Sequence, residues 1–203
     1  MDTKSDIQYM VKPDWISWGE VCECIHKANV VNDKKGFHMI FANKAPEDIK
    51  NDLKNGFCFV ALHDNKVVGT TSYKIMNIKK WWACGKVIYY SYDGILPKYR
   101  GTDVFFGLSD LRDKYVRESG IKIHQFHTAE HNKTVIKINK IYGYKLVQLH
   151  PTGKGADYYS VAMVRWDDGC PFPDWFVSFM FNLSKIVSKT LWKPGYKFRL
   201  WHW

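Results

Sequence analysis

Residues 57–75, FCFVALHDNKVVGTTSYKI, set the firmest limit on what this chain can become. Two runs rich in β-branched and aromatic residues, 57–62 and 67–75, flank the polar turn His63-Asp64-Asn65-Lys66. That pattern is an antiparallel hairpin. A hairpin this long needs further strands beside it and helices on its faces to bury both sides.

The flanking sequence supplies both. Ile7, Tyr9 and Val11 alternate along a short first strand. Pro13–Asp14 opens a helix over 14–29, with Trp15, Trp18, Cys22 and Ile25 on one side, and residues 32–36 form a turn. Pro46 suits the first turn of a helix over 46–54, which Asn55–Gly56 ends. After the hairpin come a strand run at 86–96, a helix at 102–119 stopped by Gly120, a strand at 121–127, a helix at 132–143 and two closing strands around the loop 150–156. The third helix places Phe105, Leu108, Leu111, Tyr115 and Val116 at helical spacing, and pairs Asp110 with Lys114 and Asp113 with Arg117 four residues apart. The order is β–α–α–β–β–β–α–β–α–β–β, followed by a tail. It predicts an α/β (α+β) domain over 1–168, a mixed sheet with helices on both faces, and a separate aromatic and basic helical tail over 169–203.

At 203 residues the chain suits one domain with an appendage, and its net charge of +10 favours anionic partners without choosing among them. Five cysteines without a framework spacing, and an N-terminus lacking a basic-then-apolar segment, lead to the expectation of a reducing cytoplasm. Cys22-x-Cys24-x-His26 is no metal site by its spacing, because positions i and i+2 of a helix point roughly 200° apart; no metal is expected. The positive residues are spread out and match no nucleic-acid motif, so nucleic acid is not expected as a partner.

The chemistry concentrates at DGILPKYRGTDVFFGL, residues 93–108, where an apolar strand hands over to a helix through a basic, glycine-containing turn. Unpaired N–H groups at a helix start carry partial positive charge and suit a diphosphate. Gly101 lets the backbone come close, while Lys98 and Arg100 add charge. A basic loop that merely caps a structural helix has the same composition, so the turn by itself leaves both readings open. ILPKYRGTDVFFGL resembles the acetyl-CoA-binding motif of the GNAT superfamily of N-acetyltransferases. EHNKTVIKINKIYGYKL resembles that family's C-terminal helix, with Asn132, Val135, Asn139, Gly143 and Tyr144 in register. The element order agrees over roughly 6–166.

The resemblance implies a mostly antiparallel sheet splayed between its fourth and fifth strands, and acetyl-CoA as co-substrate. It implies that the N–H groups of Arg100, Gly101, Thr102, Asp103 and Val104, with Lys98, hold the pyrophosphate. The backbone of Ile95 and Leu96 would take the pantetheine and the acetyl oxygen, with Asn132 and Asn139 on the cofactor helix. Asp103 stands where the family prefers Gly or Ala, and Asn139 where it has a tyrosine acid.

Acetyl transfer needs a group to take the ammonium proton, a donor for the oxyanion and a proton for the thiolate. Asp93 is the first candidate base. It lies two residues before Ile95 on the same face, although Asp93-Gly94 is also a turn dipeptide. Glu130 is the second candidate, with a surface role as its alternative, and His127 is a candidate relay. Tyr142, nearly a turn beyond Asn139, is the candidate acid. His26, Asn29, His38 and the loop 150–157 suggest a polar small-molecule amine, such as an amino sugar or nucleotide-linked sugar. Three alternatives stay open: a GNAT-fold scaffold without catalysis, transfer of a longer acyl chain, and homodimerisation. In the tail, Trp175, Phe176, Phe179, Met180, Leu183, Ile186, Val187 and Leu191 approximate helical spacing among lysines. That pattern suits a helix docked on the domain or on a second copy, or an interfacial contact at the inner face of a membrane.

Overall fold

The structure is a computed structural model, and it describes residues 7–33, 44–152 and 158–191. Within them the elements are β1 (Gln8–Val11), α1 (Trp18–Asp33), α2 (Pro46–Asp52), β2 (Gly56–His63), β3 (Lys66–Lys80), β4 (Ala83–Ile95), a 3₁₀ turn (Pro97–Tyr99), α3 (Val104–Glu118), β5 (Ile123–Ala129), α4 (Lys133–Ile141), β6 (Lys145–Pro151), β7 (Tyr159–Trp166) and α5 (Asp174–Leu191). This is the expected order, with α5 added in the tail. The strands are hydrogen-bonded in the order β1-β2-β3-β4-β5-β7-β6. β1–β2, β2–β3, β5–β7 and β6–β7 are antiparallel, and β4–β5 is parallel. The parallel ladder comprises Ile88↔His124 and Tyr89↔Gln125, so those two strands pair over only part of their length.

Among the described residues two compact units share the chain: 7–33, 44–75 and 90–120 form the first, and 76–89, 121–152 and 158–191 the second. In the first, Ile16, Val21, Cys22, Cys24 and Ile25 of the α1 region pack with Ile49 and Leu53 around α2 and with Val60, Leu62 and Tyr92 of the sheet. A ring cluster of Phe57, Phe59, Tyr73 and Tyr115 joins β2 and β3 to α3, with centroids 5.3–6.3 Å apart. In the second unit Trp82, Ala83, Val87, Val147, Ala162, Val164 and Val177 form the core.

Helix α1 begins four residues later than Pro13–Asp14 suggests. Ser17 and Glu20 close a capping box: Ser17 Oγ accepts from the Glu20 amide at 3.2 Å, and Glu20 Oε2 accepts from the Ser17 amide at 2.8 Å. Two satisfied amides outweigh the proline's preference for a first turn, and Trp15 is left 60% exposed outside the helix. Gly56 opens β2 because no side chain fits there. A Cβ would meet the Tyr73 carbonyl oxygen and lie 2.7 Å from Lys74 Cα, both backbone atoms fixed by the ladder. Gly56→Ala is expected to cost about 3 kcal/mol, the upper end for overpacking. A thermal melt would show it as a fall of roughly 6–12 °C.

Candidate active site

The turn after β4 is built from short-range bonds. Leu96 N–H donates to Val68 O at 3.0 Å, which holds the end of β4 against β3. Tyr99 N–H donates to Leu96 O at 2.9 Å, and Arg100 N–H to Pro97 O at 3.3 Å. Gly101 then takes φ +77°, a region that disfavours any residue with a Cβ, and open space surrounds it. The Thr102 hydroxyl donates to Tyr99 O at 2.6 Å and receives the Val104 amide only at 3.5 Å. Asp103 occupies the N-cap of α3, yet its carboxylate makes no capping hydrogen bond. The first-turn amides of a 15-residue helix are thus not covered by an acidic side chain.

Lys98 and Arg100 separate in role. Lys98 is exposed, its Nζ 5.7 Å from the Tyr99 ring centroid. Arg100 turns inward, donating from Nη2 to Ala28 O at 2.5 Å and from Nε to Ile95 O at 3.2 Å. Its guanidinium ties α1 to the end of β4, and its contribution at the turn is its backbone. The carbonyl of Ile95 is occupied by that contact. Its amide points away from β3, since N–H groups alternate sides along a strand and Leu96 faces Val68.

β4 contains a device that the sequence hid. Thr71 Oγ1 donates to Asp93 Oδ1 at 2.5 Å, while Ser72 Oγ donates to Ser91 O at 2.5 Å. One step along β3 is matched by two along β4, so β4 carries an extra residue. That residue is Tyr92, at φ +57°. It is a β-bulge with a bulky residue in the left-handed region, a conformation costing roughly 1–3 kcal/mol. The surroundings hold it there: Tyr92 is buried in the cluster beneath α1 and α2, and its hydroxyl donates to Asp52, which Lys44 neutralises.

Past the bulge the faces exchange. Asp93 and Ile95 share the face toward α3, where Thr70, Thr71, Gly94, Phe105, Leu108 and Ser109 complete a cleft of about 220 Å³ that includes its open mouth. Asp93 is accessible from the cleft. Protein crowding on its other sides pushes its pKa above the ordinary carboxylate value, and the Arg112 guanidinium, the Thr71 hydroxyl and the Ser72 amide pull the other way without cancelling the rise. Arg112 donates to Thr71 Oγ1 at 3.2 Å and lies 4.3 Å over the Tyr90 ring. The result is a relay from guanidinium to hydroxyl to carboxylate.

The remaining expected residues lie in the second unit. Glu130 is ion-paired with Lys189 of α5 at 2.8 Å. Asn132 caps α4, accepting from the Val135 amide at 3.4 Å and donating to Thr128 Oγ1 at 3.3 Å. Asn139 donates to Val135 O at 2.9 Å. Tyr142 ends α4 and is 54% exposed. His127 belongs to a buried chain with a single direction. Trp82 Nε1, which can only donate, bonds Gln125 Oε1 at 3.1 Å. The Gln125 amide nitrogen therefore donates to His127 Nε2 at 2.9 Å, His127 Nδ1–H points to His150 Nε2 at 3.4 Å, and His150 Nδ1–H donates to Pro151 O at 3.1 Å. A pure donor at one end and a carbonyl at the other fix both rings as neutral tautomers. Burial, His150 and Lys80 push the His127 pKa down to about 3, and burial with Lys80 also lowers that of His150.

Of the residues expected to face an acceptor, Asn29 is buried and donates to Ile25 O at 2.7 Å, and His26 Nε2 lies 3.1 Å from Lys44 O. His38, the residues 153–157 and the tail beyond Leu191 lie outside the described residues. Cys22 reaches His26 at 3.4 Å, four residues apart on one face, but no group of three potential ligands occurs among the described residues. Burial pushes the Cys24 thiol up to about 12 and Cys58 up to about 11, so neither is a ready thiolate. No helix among the described residues is long and apolar enough to cross a membrane.

Thr71, Tyr92, Arg112, Gln125 and His150 went unseen in the sequence. The density of Thr and Ser at 70–72 beside a charged helix was the available signal for the first and third. Nothing local announces the bulge.

No protein-family profile and no curated protein matches the sequence. Solved structures do match in shape. An acetyltransferase from Streptococcus agalactiae aligns over 79% of this chain and 98% of its own, with 19% identity and a TM-score of 0.58. An acetyltransferase of the GNAT family from Streptococcus pneumoniae aligns over 78% and 99%, with 12% identity and a TM-score of 0.55. YncA from Salmonella typhimurium, solved with its cofactor acetyl-CoA, aligns over 84% and 99%, with 13% identity and a TM-score of 0.59. At these identities the likeness concerns architecture, and it agrees with the strand order, the parallel β4–β5 pair and the strand–turn–helix junction: the chain has the fold of the GNAT acetyltransferases.

Proposed function

We propose that this protein is an acetyl-CoA-dependent N-acetyltransferase acting on a small polar amine. The observation that carries the reading is the start of α3. Its amides follow a Gly101 turn and are left open by Asp103, directly after a bulged strand whose cleft holds Asp93. A structure of the same fold was solved with acetyl-CoA, which supports the choice of co-substrate.

In this reading the amides of Gly101 to Val104 take the pyrophosphate, with the exposed Lys98 as a nearby cation. The Ile95 amide, turned away from β3, donates to the thioester oxygen as charge develops there. Asp93 takes the ammonium proton. The amine lone pair then forms the C–N bond, the C–S bond breaks, and the second proton of the amine passes through water to the departing thiolate. Asn132 and Asn139 order helix α4. Amino sugars remain one class in the acceptor panel.

The test is acetyl-CoA turnover followed by thiol release across amino sugars, polyamines, amino acids and peptides. Acceptor-dependent release is expected. Absence of acetyl-CoA binding in calorimetry, with no release on any amine, overturns the reading in favour of a scaffold. Gly101→Val forces a β-branched residue toward positive φ, and is expected to raise KM for acetyl-CoA about tenfold, a loss of about 1.4 kcal/mol, with little change in kcat.

A further inference from the structure

Helix α5 is apolar on two opposed faces. One face is docked: Val177 is buried in the core of the second unit, Ser184 Oγ accepts the Leu149 amide at 2.9 Å, and Ser188 Oγ donates to Leu149 O at 2.7 Å. Ion pairs Lys145–Asp174 and Lys189–Glu130 pin its two ends. The other face presents Trp175, Phe179, Leu183 and Ile186 to solvent, with Trp175 71% and Ile186 63% exposed. Their spacing of four, four and three places them on one line of the helix, running roughly 16 Å. A docked helix ordinarily turns charge outward; this one turns aromatic and aliphatic side chains outward.

Charge says what covers that line. Among the described residues the first unit contains twelve Lys and Arg against thirteen Asp and Glu, and is close to neutral. The second contains eleven against four, so the positive charge of the described residues resides in the unit that carries α5. The sequence after Leu191 continues the same composition, with Trp192, Trp201, Trp203, Lys193, Lys197 and Arg199. A second copy would bring two strongly positive units together. Nucleic acid would satisfy the lysines but gives Leu183 and Ile186 nothing to bury against. An anionic lipid surface answers both, taking the apolar line into the headgroup boundary and the cations at the phosphates.

We infer that α5 is a peripheral docking helix for anionic membrane, with Trp175, Phe179, Leu183 and Ile186 as its inserting residues. The inference does not depend on catalysis. The test is co-sedimentation of the full chain with phosphatidylcholine vesicles, with and without 30% phosphatidylglycerol, beside the double variant Phe179→Glu, Ile186→Glu. Both positions face solvent, so an unchanged thermal melt verifies that the variant is folded. Pelleting with the anionic vesicles is expected, at least tenfold weaker with the neutral ones and at least tenfold weaker for the variant. Equal pelleting of parent and variant, equal pelleting with both vesicles, or a parent that stays in the supernatant overturns the inference. So does sedimentation velocity showing a dimer that the variant dissolves, which would give the face to a second copy.

Discussion

Asp93→Asn is expected to lower kcat for acetyl transfer about a hundredfold or more while the protein stays folded. Asparagine keeps an oxygen to accept the Thr71 hydroxyl, 2.5 Å away in the native protein, so the cleft wall survives. What it loses is the capacity to take a proton, a contribution of ~10²–10⁴ in rate for a positioned base. The pH profile separates this role from a structural one. Desolvation by the protein crowded around it holds the Asp93 pKa above its ordinary value, and Arg112 restrains the rise. Activity requires the carboxylate, so the rate climbs with pH through that pKa. Arg112→Met keeps an unbranched stem over Tyr90 but removes the charge, and its acid limb is expected to move to higher pH. An Asp93→Asn enzyme within twofold of the parent, or an acid limb indifferent to Arg112, removes Asp93 from the mechanism.

Acid is expected to unfold this protein through its histidine chain before its carboxylates matter. In the unfolded chain His127 has the ordinary histidine pKa near ~6.5; in the fold burial pushes it down to about 3. The neutral ring is therefore the folded form, its stabilisation is complete above pH ~6.5, and it drains as pH falls toward 3 because the unfolded state binds the proton first. The slope is about 1.4 kcal/mol per pH unit, or about 2 kcal/mol lost by pH 5 from this residue. His150 is shifted in the same direction and adds to it. His127→Gln preserves the direction of the chain, accepting from Gln125 through its oxygen and donating to His150 through its nitrogen, with nothing to titrate. Urea melts at pH 7, 6 and 5 should show the parent losing stability faster than this variant. Parallel losses in both would show that the ring is not what acid attacks.

Much of the architecture was legible because local signals and tertiary packing agreed. The hairpin at 57–75, the Gly120 and Gly143 stops and the 3.6-residue pattern of α3 each named the element that formed. Where they disagreed, side-chain chemistry decided. The Ser17–Glu20 box displaced the start that Pro13 suggested, and Trp81–Trp82 closed a hairpin that the run at 86–96 only partly revealed. At the site, the turn and Asp93 were readable because phosphate and proton chemistry require unusual residues in a short window. Thr71 and Arg112 were not, because the contact between them is made across 41 positions by a sheet and a helix. Arg100 was readable as a cation but not as a strut, since its carbonyl partners come from Ala28 and Ile95. The histidine chain was out of reach for the same reason: its direction is set by Trp82, 43 residues from Gln125.

The extra residue in β4 makes strand length a matter of parity. Every side chain from Asp93 to Ile95 owes its orientation to that extra residue: in a regular strand of the same length Asp93 would pass to the opposite layer and Gly94 to the cleft. Straightening the bulge without shortening the strand should thus abolish the site more thoroughly than any single replacement within it, whereas deleting Tyr92 would leave Asp93 facing α3 and forfeit the contact of Tyr92 with Asp52. Chimeras that splice this strand from another protein can vary its composition widely, provided they keep the bulge together with the residue it absorbs.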